Sequence, residues 1–383
     1  MFSTMFISLM FLMIAADIAI FALFIRKFEY HLALRLLWFI PALLLIGVYF
    51  YDPDGKFRDL FRIVLLSFAI PKTFFVVIAL FDLPLKYFFK WKIYPFSVLA
   101  LAVGVVLMYA VLYGGTVGYT KLKVRKIDFA SPNLPEAFNG FKIVHVSDIH
   151  LRCWVNNKTV IEKMVEIINS LQPDVVVSTG DLVHRSASEL EGFEDILASI
   201  NARDGVFSVF GNHDYGSYRR MENDDAKNQN MKDMQQRKDS IGWRLLINEH
   251  IFLFRGNDSI ALIGVENSGE PPFPDYADLP KAMKGTENTA FKILLTHDPT
   301  QWRREVLNTN IDLTLAGHTH AAQFMLAGFS PAAFVYSEWG GMYREGNQGL
   351  YINAGIGHVV IPFRFGAFPE ITVIYLSKIS ENR

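Results

Sequence analysis

The stretch FKIVHVSDIH, residues 141–150, decides the fold of this chain. It is a largely apolar run that ends in an aspartate and a histidine spaced by one position. Such a run is typical of a strand that is buried on both faces, as in a parallel sheet. On an extended backbone, residues two apart point to the same side, so Asp148 and His150 can act together as a fork.

The same pattern, an apolar run that ends in polar residues, recurs along the second part of the chain. We interpret five further runs as buried strands: PDVVVSTGD (173–181), GVFSVFGNHD (205–214), ALIGVEN (261–267), FKILLTHD (291–298) and IDLTLAGH (311–318). Residues 157–171 and 189–201 have helical spacing. Strands that alternate with helices predict a layered α/β domain.

Five of these strands end in clusters built from aspartate, asparagine and histidine. The clusters are Asp148 with His150, Asp181, Asn212–His213–Asp214, His297 with Asp298, and His318 with His320. A lone Asp-x-His at a strand end is as compatible with a capped turn as with a ligand, and His297–Asp298 before Pro299 is compatible with a simple turn, whereas GNHD and GHTH are more specific signals. Because the carboxyl ends of parallel strands form one crevice, the five together are expected to meet in space. Imidazole and carboxylate without thiolate suit a divalent metal and argue against a structural zinc site. Seven candidate ligands fit two ions that share a carboxylate.

The series SDIH, GDLV, GNHD, THDP and GHTH resembles the motifs of the calcineurin-like metallophosphoesterase superfamily, from about Phe141 to the C-terminus. The tail LYINAGIGHVVIPFRFGAFPEITVIYL, residues 350–376, is similar to that of the bacterial membrane-associated or exported branch. The resemblance implies a layered β-sandwich flanked by helices and two divalent metal ions, Mn, Fe or Zn. It also implies hydrolysis of a phosphoester or pyrophosphate by in-line attack of a metal-bridging hydroxide.

The resemblance assigns roles to eight residues, seven metal ligands and one general acid. It implies one metal held by Asp148, His150 and His320. It implies a second metal held by Asn212, His297 and His318, with Asp181 bridging the two and His213 as the acid.

The chain departs from the family pattern at two places. Many relatives read Gly-Asp-x-x-Asp-Arg, in which the second aspartate orients the acid histidine, whereas this chain has His184 at that position. We therefore hypothesise that Asp214 orients His213. Relatives often have glycines after the last histidine, where this chain has Ala321 and Ala322. Since alanine is small, we expect little consequence.

Apolar residues make up 51% of the 383 residues, and their excess lies at the front of the chain. Four apolar stretches are each close to the roughly 20 residues that span a bilayer as a helix, namely residues 3–25, 32–51, 61–81 and 93–115. We predict an all-α four-helix transmembrane domain, residues 1–118, before a metallophosphoesterase domain, residues 119–383. Asp17 and Lys72 lie within the spans; either they pair with each other, or one of them snorkels to the interface or is neutral.

Basic residues indicate how the chain crosses the membrane. The loops after the first and third helices are rich in lysine and arginine and the N-terminus is not, so these loops are predicted to be cytoplasmic. The catalytic domain would then be extracytoplasmic, in an integral protein of a bacterial inner membrane. Residues 121–126, KLKVRK, oppose this orientation because they place four more positive charges on the external side. Their alternating pattern is that of a strand of the next domain.

The net charge and one apolar segment indicate which classes of substrate to expect. A formal net charge of −1 argues against nucleic-acid binding through bulk electrostatics. The apolar segment 324–343 follows a ligand motif and is either a wall that meets lipid or ordinary core. With the membrane tether, it favours a membrane lipid or lipid-linked phosphoester as substrate. A UDP-diacylglucosamine-type pyrophosphatase with a cytoplasmic catalytic domain is an alternative, and so is a non-catalytic membrane sensor. The polar insert, residues 219–240, is expected to be a solvated helix.

Overall fold

The computed structural model describes residues 2–51, 58–216, 218 and 224–379. The chain divides into two units, Met1–Tyr119 with Val359–Phe365, and Thr120–His358 with Gly366–Arg383. The inclusion of Val359–Phe365 in the first unit is not anticipated by any sequence pattern described above.

The first unit is helical. Its helices are α1 (Phe2–Leu23), α2 (Leu32–Leu36), α3 (Ile40–Tyr51), α4 (Arg58–Ala79), α5 (Asp82–Phe89) and α6 (Pro95–Thr116). Four stretches have the length and apolar composition to cross a membrane: Thr4–Lys27, Leu32–Tyr51, Arg58–Phe89 and Pro95–Thr120. They coincide with the four predicted spans. The second span is interrupted by a 3-10 turn at Leu37–Phe39.

A buried ion pair joins two of these helices. The Lys72 ammonium on α4 lies 2.7 Å from Oδ1 of Asp17 on α1, and the Asp17 side chain is fully buried. Lys72 also lies 4.9 Å from the centre of the Trp38 ring. The pairing left open by the sequence is therefore formed, and each charge is held by a partner inside the unit, as a charge in an apolar span requires.

The segment Val359–Phe365 packs against helices α4 and α6. Val360 and Ile361 contact the apolar cluster built from α1, α3 and α4. Arg62 donates a hydrogen bond of 2.7 Å to the Val360 carbonyl. The Arg364 amide donates one of 3.1 Å to the carbonyl of Gly114. A Cβ atom on Gly114 would overlap the Phe363 ring, so the absence of a side chain there admits the segment.

The second unit contains twelve strands in its described part. They are β1 (Lys123–Ser131), β2 (Lys142–Val146), β3 (Val175–Ser178), β4 (Val206–Ser208), β5 (Trp243–Leu245), β6 (Glu249–Arg255), β7 (Asp258–Gly264), β8 (Lys292–Leu295), β9 (Leu313–Ala316), β10 (Gly341–Glu345), β11 (Gln348–Ile352) and β12 (Glu370–Lys378). Every predicted strand is present, including the basic one after the membrane spans.

These strands form two six-stranded mixed sheets, with the orders β1-β12-β2-β3-β4-β5 and β10-β11-β9-β8-β7-β6. Strands β2 to β5 are parallel to one another, and so are β7, β8, β9 and β11. The fully buried side chains of Ile143 and Val177 in one sheet share a core with Leu262, Leu295 and Leu315 in the other. Each such side chain stabilises the fold by about 1.5–3 kcal/mol relative to exposure. The predicted layered β-sandwich is confirmed.

Helices flank the sandwich: α7 (Thr159–Ser170), α8 (Glu194–Ala198), α9 (Asp224–Ser240), α10 (Leu279–Met283) and α11 (Gln301–Arg304). Helix α7 confirms the first helical prediction. The second, residues 189–201, contains only the five-residue α8, because Gly192 adopts a φ of +78° that ends regular structure there.

Helix α9 corrects the expectation of a solvated insert. Its side chains Asn230, Met234 and Lys238 recur every four residues and are buried. One face of a polar helix is therefore packed into the second unit. Residues 219–223 of the insert lie outside the described residues.

Candidate dinuclear metal centre

The candidate ligands lie where parallel strands of both sheets end. Strands β2, β3 and β4 lead directly into the loops at Asp148, Asp181 and Asn212, and strands β8 and β9 lead into those at His297 and His318. Five of the seven candidate ligands have a positive φ of +48° to +71°: Asp148, His150, Asp181, His318 and His320. Residues other than glycine adopt this region rarely, and such backbone strain clusters at functional sites.

One group of ligands consists of Asp148, His150 and His320. Nε2 of His320 lies 3.2 Å from Oδ1 of Asp148 and 3.3 Å from Nε2 of His150. Nδ1 of His150 faces the Val183 carbonyl at 3.2 Å. Because a carbonyl only accepts, Nδ1 carries the proton and the lone pair on Nε2 points into the group. These three side chains are buried.

The second group consists of Asn212, His297 and His318. Oδ1 of Asn212 lies 3.0 Å from Nε2 of His297 and 2.9 Å from Nδ1 of His318. Those two ring nitrogens are 3.2 Å apart. Nδ1 of His297 donates to the Thr179 carbonyl at 2.7 Å, which directs its Nε2 towards the group.

Asp181 lies between the two groups. Its Oδ2 is 3.3 Å from Nε2 of His297 and 3.7 Å from Nε2 of His150. Its Oδ1 accepts a hydrogen bond of 2.8 Å from the His213 amide. One carboxylate oxygen therefore faces ligands of both groups. The structure brings together all seven residues that the sequence singled out as candidate ligands.

The donor set fits divalent cations. Oδ1 of Asp148 is buried and accepts no hydrogen bond from the residues that the structure describes, leaving His320 as its neighbour. Four imidazole nitrogens face one another in two pairs, 3.3 and 3.2 Å apart, beside the carboxylate oxygens, and the two nitrogens of a pair cannot both keep a proton. Such convergence of lone pairs is what a metal ion stabilises, and imidazole with carboxylate suits Zn, Fe or Mn.

Charges in the cage shift the pKa values of its members. Burial alone would raise the pKa of Asp148, but His320, His297 and His150 hold it well below its usual value. Burial opposes protonation of His297, yet Asp181 and Asp148 raise its pKa to about 10. Burial keeps the pKa of His150 well below its usual range. The two carboxylates thus stay ionised and attract positive charge, which a proton or a metal can supply.

His213 is held beside this cage by three contacts. Its Nδ1 donates to the His184 carbonyl at 2.7 Å, and its amide donates to Asp181. Its ring stacks on that of Tyr218, with centroids 4.0 Å apart. This arrangement leaves Nε2 of His213 as the nitrogen that can exchange a proton with a bound molecule.

The hypothesis that Asp214 orients the His213 ring is wrong. Its carboxylate accepts hydrogen bonds from the amides of Asp181, Gly211 and Val183, at 2.9, 3.0 and 3.2 Å. The Lys238 ammonium lies 4.0 Å away, and both side chains are fully buried. Asp214 therefore ties together the two loops that carry Asp181 and Asn212.

The structure places His184, which stands where many relatives have an aspartate, inside the site. Its ring centre lies 5.1 Å from that of His150 and 4.9 Å from that of His213. Burial and the neighbouring His213 lower the pKa of His184 to about 3. The departure from the family motif at position 184 was the sequence signal that could have indicated a residue of the site.

Two tyrosines of the site were missed from sequence. The Tyr218 hydroxyl accepts from Nδ2 of Asn212 at 2.8 Å, and the Tyr336 hydroxyl lies 3.1 Å from Nε2 of His318. Burial raises the pKa of Tyr336 to about 12, so its hydroxyl stays protonated; it can accept a hydrogen bond from an N–H at Nε2 of His318, which leaves Nδ1 of that ring as the ligand atom. Tyr336 belongs to the apolar segment 324–343, whose position after a ligand motif was the available signal.

The alanines after the last histidine are strained. Ala321 and Ala322 both have a φ of +47°. Glycine adopts this region without a Cβ clash, whereas alanine loses roughly 1–2 kcal/mol per residue. The expectation of little consequence considered side-chain size and overlooked the backbone.

Comparison with known proteins agrees with this geometry. Residues 141–322 match the family model described as calcineurin-like phosphoesterase. These residues therefore carry a calcineurin-like phosphoesterase domain. A zebrafish protein named transmembrane protein with metallophosphoesterase domain is 31% identical over 74% of this chain and 63% of its own length. The metallophosphoesterase YkuE of Bacillus subtilis, described as uncharacterized, is 29% identical over 70% of this chain and 92% of its own length.

The relatives also bear on the helical unit. A bovine protein with the same name as the zebrafish one is 31% identical over 66% of this chain and 56% of its own length. The chain thus spans less than two thirds of these two vertebrate relatives. The four membrane-spanning candidates and the names of these relatives identify the chain as a membrane protein. The bacterial branch suggested by the tail stays a prediction, since relatives come from vertebrates and bacteria.

Proposed function

We propose that this protein is a membrane-anchored phosphoesterase that uses two divalent cations to hydrolyse a phosphoester or pyrophosphate of a lipid-linked substrate. The observation that carries the proposal is the position of Asp181, whose Oδ2 faces His297 at 3.3 Å and His150 at 3.7 Å. A carboxylate shared by two imidazole groups is the arrangement that a two-metal site requires.

In the proposed site, Asp148, His150 and His320 would hold one cation. Asn212, His297 and His318 would hold the other, and the Asp181 carboxylate faces both groups. Two bound cations would activate water near neutral pH and neutralise charge on the phosphate oxygens. The backbone carbonyls of Val183 and Thr179 fix the rings of His150 and His297, so that each presents Nε2 to the cage.

His213 is the proposed acid for the leaving group. Its Nδ1 is held by the His184 carbonyl, and stacking on Tyr218 restricts rotation of its ring. Nε2 is therefore the ring nitrogen that can hold a proton and transfer it to the departing oxygen. An imidazole is suited to this task because its ordinary pKa is near neutral pH.

A lipid substrate is favoured by an exposed apolar surface that begins beside the cage. Tyr336 contacts His318, while its neighbours Phe334 and Val335 are 82% and 76% exposed. Leu326 and Phe329 are also exposed. The core interpretation of segment 324–343 therefore does not apply to these side chains. Acyl chains lying on this surface would bring a phosphate headgroup towards the ligands.

The test replaces the exposed apolar side chains and compares two substrates. A Phe334→Ser/Val335→Ser protein is expected to lose at least tenfold in rate on phospholipid or lipid-pyrophosphate micelles and less than twofold on p-nitrophenyl phosphoesters. Phe254→Ser, at a residue 64% exposed on β6, is the matched control and should change neither rate. Equal losses on both substrates, or a wild-type preference for soluble nucleotides, would contradict the lipid proposal.

Catalysis itself is tested at the bridging position. Asp181→Ala should abolish hydrolysis of all substrates and lower the metal content of the purified protein. A variant that keeps the wild-type rate would exclude the dinuclear mechanism. A wild-type protein that binds metal and hydrolyses none of these phosphoesters would instead favour the non-catalytic sensor.

The proposal keeps the orientation indicated by the basic residues, with the catalytic unit on the outer side of a bacterial inner membrane. A reporter phosphatase that is active only outside the cytoplasm should be active when it is fused after the C-terminus. A reporter that fluoresces only in the cytoplasm should not fluoresce when it is fused at the same place. The opposite result would favour a pyrophosphatase that acts on UDP-diacylglucosamine in the cytoplasm.

A further inference from the structure

Three imidazoles meet next to the proposed catalytic cage, where the family pattern has one carboxylate and two imidazoles. One ring nitrogen each of His150, His184 and His213 lie within 4.8 Å of one another. The His150 ring centre is 4.8 Å from that of His213. The substitution of histidine for aspartate at position 184 thus converts an acid-orienting pair into a cluster of nitrogen ligands.

The cluster has nitrogens available for a ligand. Nδ1 of His184 is buried and has no hydrogen-bond partner among the described residues. Nδ1 of His213 donates to the His184 carbonyl, so its Nε2 is free of that bond. Nδ1 of His150 is likewise held by the Val183 carbonyl, which leaves Nε2. The carboxylate of Glu189, 2.6 Å from the His184 amide, adds negative charge beside the cluster.

We propose that His150, His184 and His213 form a third metal site, which captures zinc and thereby switches the enzyme off. Three imidazoles without an oxygen ligand suit Zn²⁺ and disfavour Mn²⁺ or Mg²⁺. Tetrahedral zinc with bonds of about 2.0–2.1 Å holds its ligands roughly 3.3 Å apart. The half-buried rings of His184 and His213 therefore rotate inwards when the ion binds.

Occupation of this site is incompatible with catalysis for two reasons. Nε2 of His150 is the same atom that faces His320 and Asp181, so one ion at a time can use it. Zinc bound to Nε2 of His213 also occupies the nitrogen that would carry the proton for the leaving group. The inhibition by zinc rests on the proposed function, because it requires an active enzyme. The binding of zinc to the three histidines does not depend on that function.

The first experiment measures zinc sensitivity of the full-length protein in detergent. Zinc is titrated into the manganese-loaded wild type, His184→Asn, His184→Gln and His250→Asn, each compared with its own zinc-free rate. His250 is the matched control because it is half-buried and its Nδ1 faces the Ala282 carbonyl at 2.9 Å. The two His184 variants should need at least tenfold more zinc for half-inhibition, and His250→Asn should behave as wild type. Raising manganese should relieve wild-type inhibition, because His150 is shared.

The second experiment measures binding without turnover. In a His320→Ala background, which removes the neighbour that competes for His150, equilibrium dialysis counts bound zinc with and without His184→Asn. One zinc equivalent fewer in the double variant is expected, and no loss with His250→Asn. Equal zinc content, or unchanged zinc sensitivity of both His184 variants, would overturn the site. If no hydrolysis were detected with any substrate, the zinc content measured by dialysis would still decide whether the third site exists. If hydrolysis were detected but the double variant bound as much zinc as its parent, the proposed function would be kept and the third site rejected.

Discussion

Replacing Lys238 by methionine tests whether the buried pair beneath the loops supports the site. The Lys238 ammonium lies 4.0 Å from Oδ2 of Asp214, and both side chains are fully buried. At an effective dielectric constant of about 20, two unit charges at this separation attract by about 4 kcal/mol. Methionine has a similar length, so the change removes the charge and leaves little empty space.

The expected cost is about 3–5 kcal/mol, the range for removing one partner of a buried pair and leaving the other uncompensated. For a unit of this size, each kcal/mol lowers the melting temperature by roughly 2–4 °C, so a fall of roughly 6–20 °C is expected. Asp214 would then hold the amides of Asp181 and Gly211 less firmly, and the phosphoesterase rate should fall with it.

The assay combines thermal unfolding in detergent with the hydrolysis rate at a temperature where every variant is folded. Lys232→Met changes an exposed lysine on the same helix α9 and should leave both measurements within error of wild type. Adding Asp214→Asn to Lys238→Met should cost less than the sum of the single changes, because the unpaired carboxylate is removed. A melting temperature of Lys238→Met within 2 °C of that of Lys232→Met would refute the reasoning.

Three further outcomes follow from the structure. Ala322→Gly should raise the free energy of unfolding by about 0.5–1 kcal/mol, because glycine adopts a φ of +47° without strain. In the same denaturation assay, Ala226→Gly within helix α9 should lower the free energy of unfolding by a similar amount. Gly114→Leu should lower the melting temperature of the helical unit, since the new side chain overlaps Phe363; Gly47→Leu, whose Cβ position is open, should not. Metal chelation should lower the melting temperature of wild type more than that of Asp181→Ala, and equal shifts would contradict metal binding at the cage.

The sequence was sufficient to predict the strands and the grouping of the ligand clusters at their ends. Periodicity marks a buried strand, and parallel strands of one sheet deliver their carboxyl ends to one edge. This groups the ligands that follow β2, β3 and β4 in one sheet, and those that follow β8 and β9 in the other. The meeting of the two groups, as of Asp148 with His320, comes from the packing of the two sheets. The length and apolarity of the first four helices likewise required no tertiary information.

The contacts that orient these ligands were not predictable in the same way. Orientation of His213 comes from the backbone carbonyl of His184, and any residue type at that position has a carbonyl. The buried face of helix α9 consists of Asn230, Met234 and Lys238, so a hydrophobic pattern does not reveal it. Segment 359–365 is apolar but too short to distinguish from an ordinary loop.

The backbone of the cage indicates that its geometry is set before any cation binds. A positive φ costs of order 1–3 kcal/mol at each strained residue, and it persists only where neighbouring contacts fix the chain. Those contacts join the loops to one another: the amide of Asp148 donates to the Gly180 carbonyl at 3.0 Å, and that of His150 to the Asp181 carbonyl at 3.1 Å. The His318 amide donates to Oδ2 of Asp148 at 3.0 Å. Because the strained backbone at Asp148, His150 and His318 is fixed by the loop of another ligand, a cation entering the cage would have little of this backbone left to reorganise.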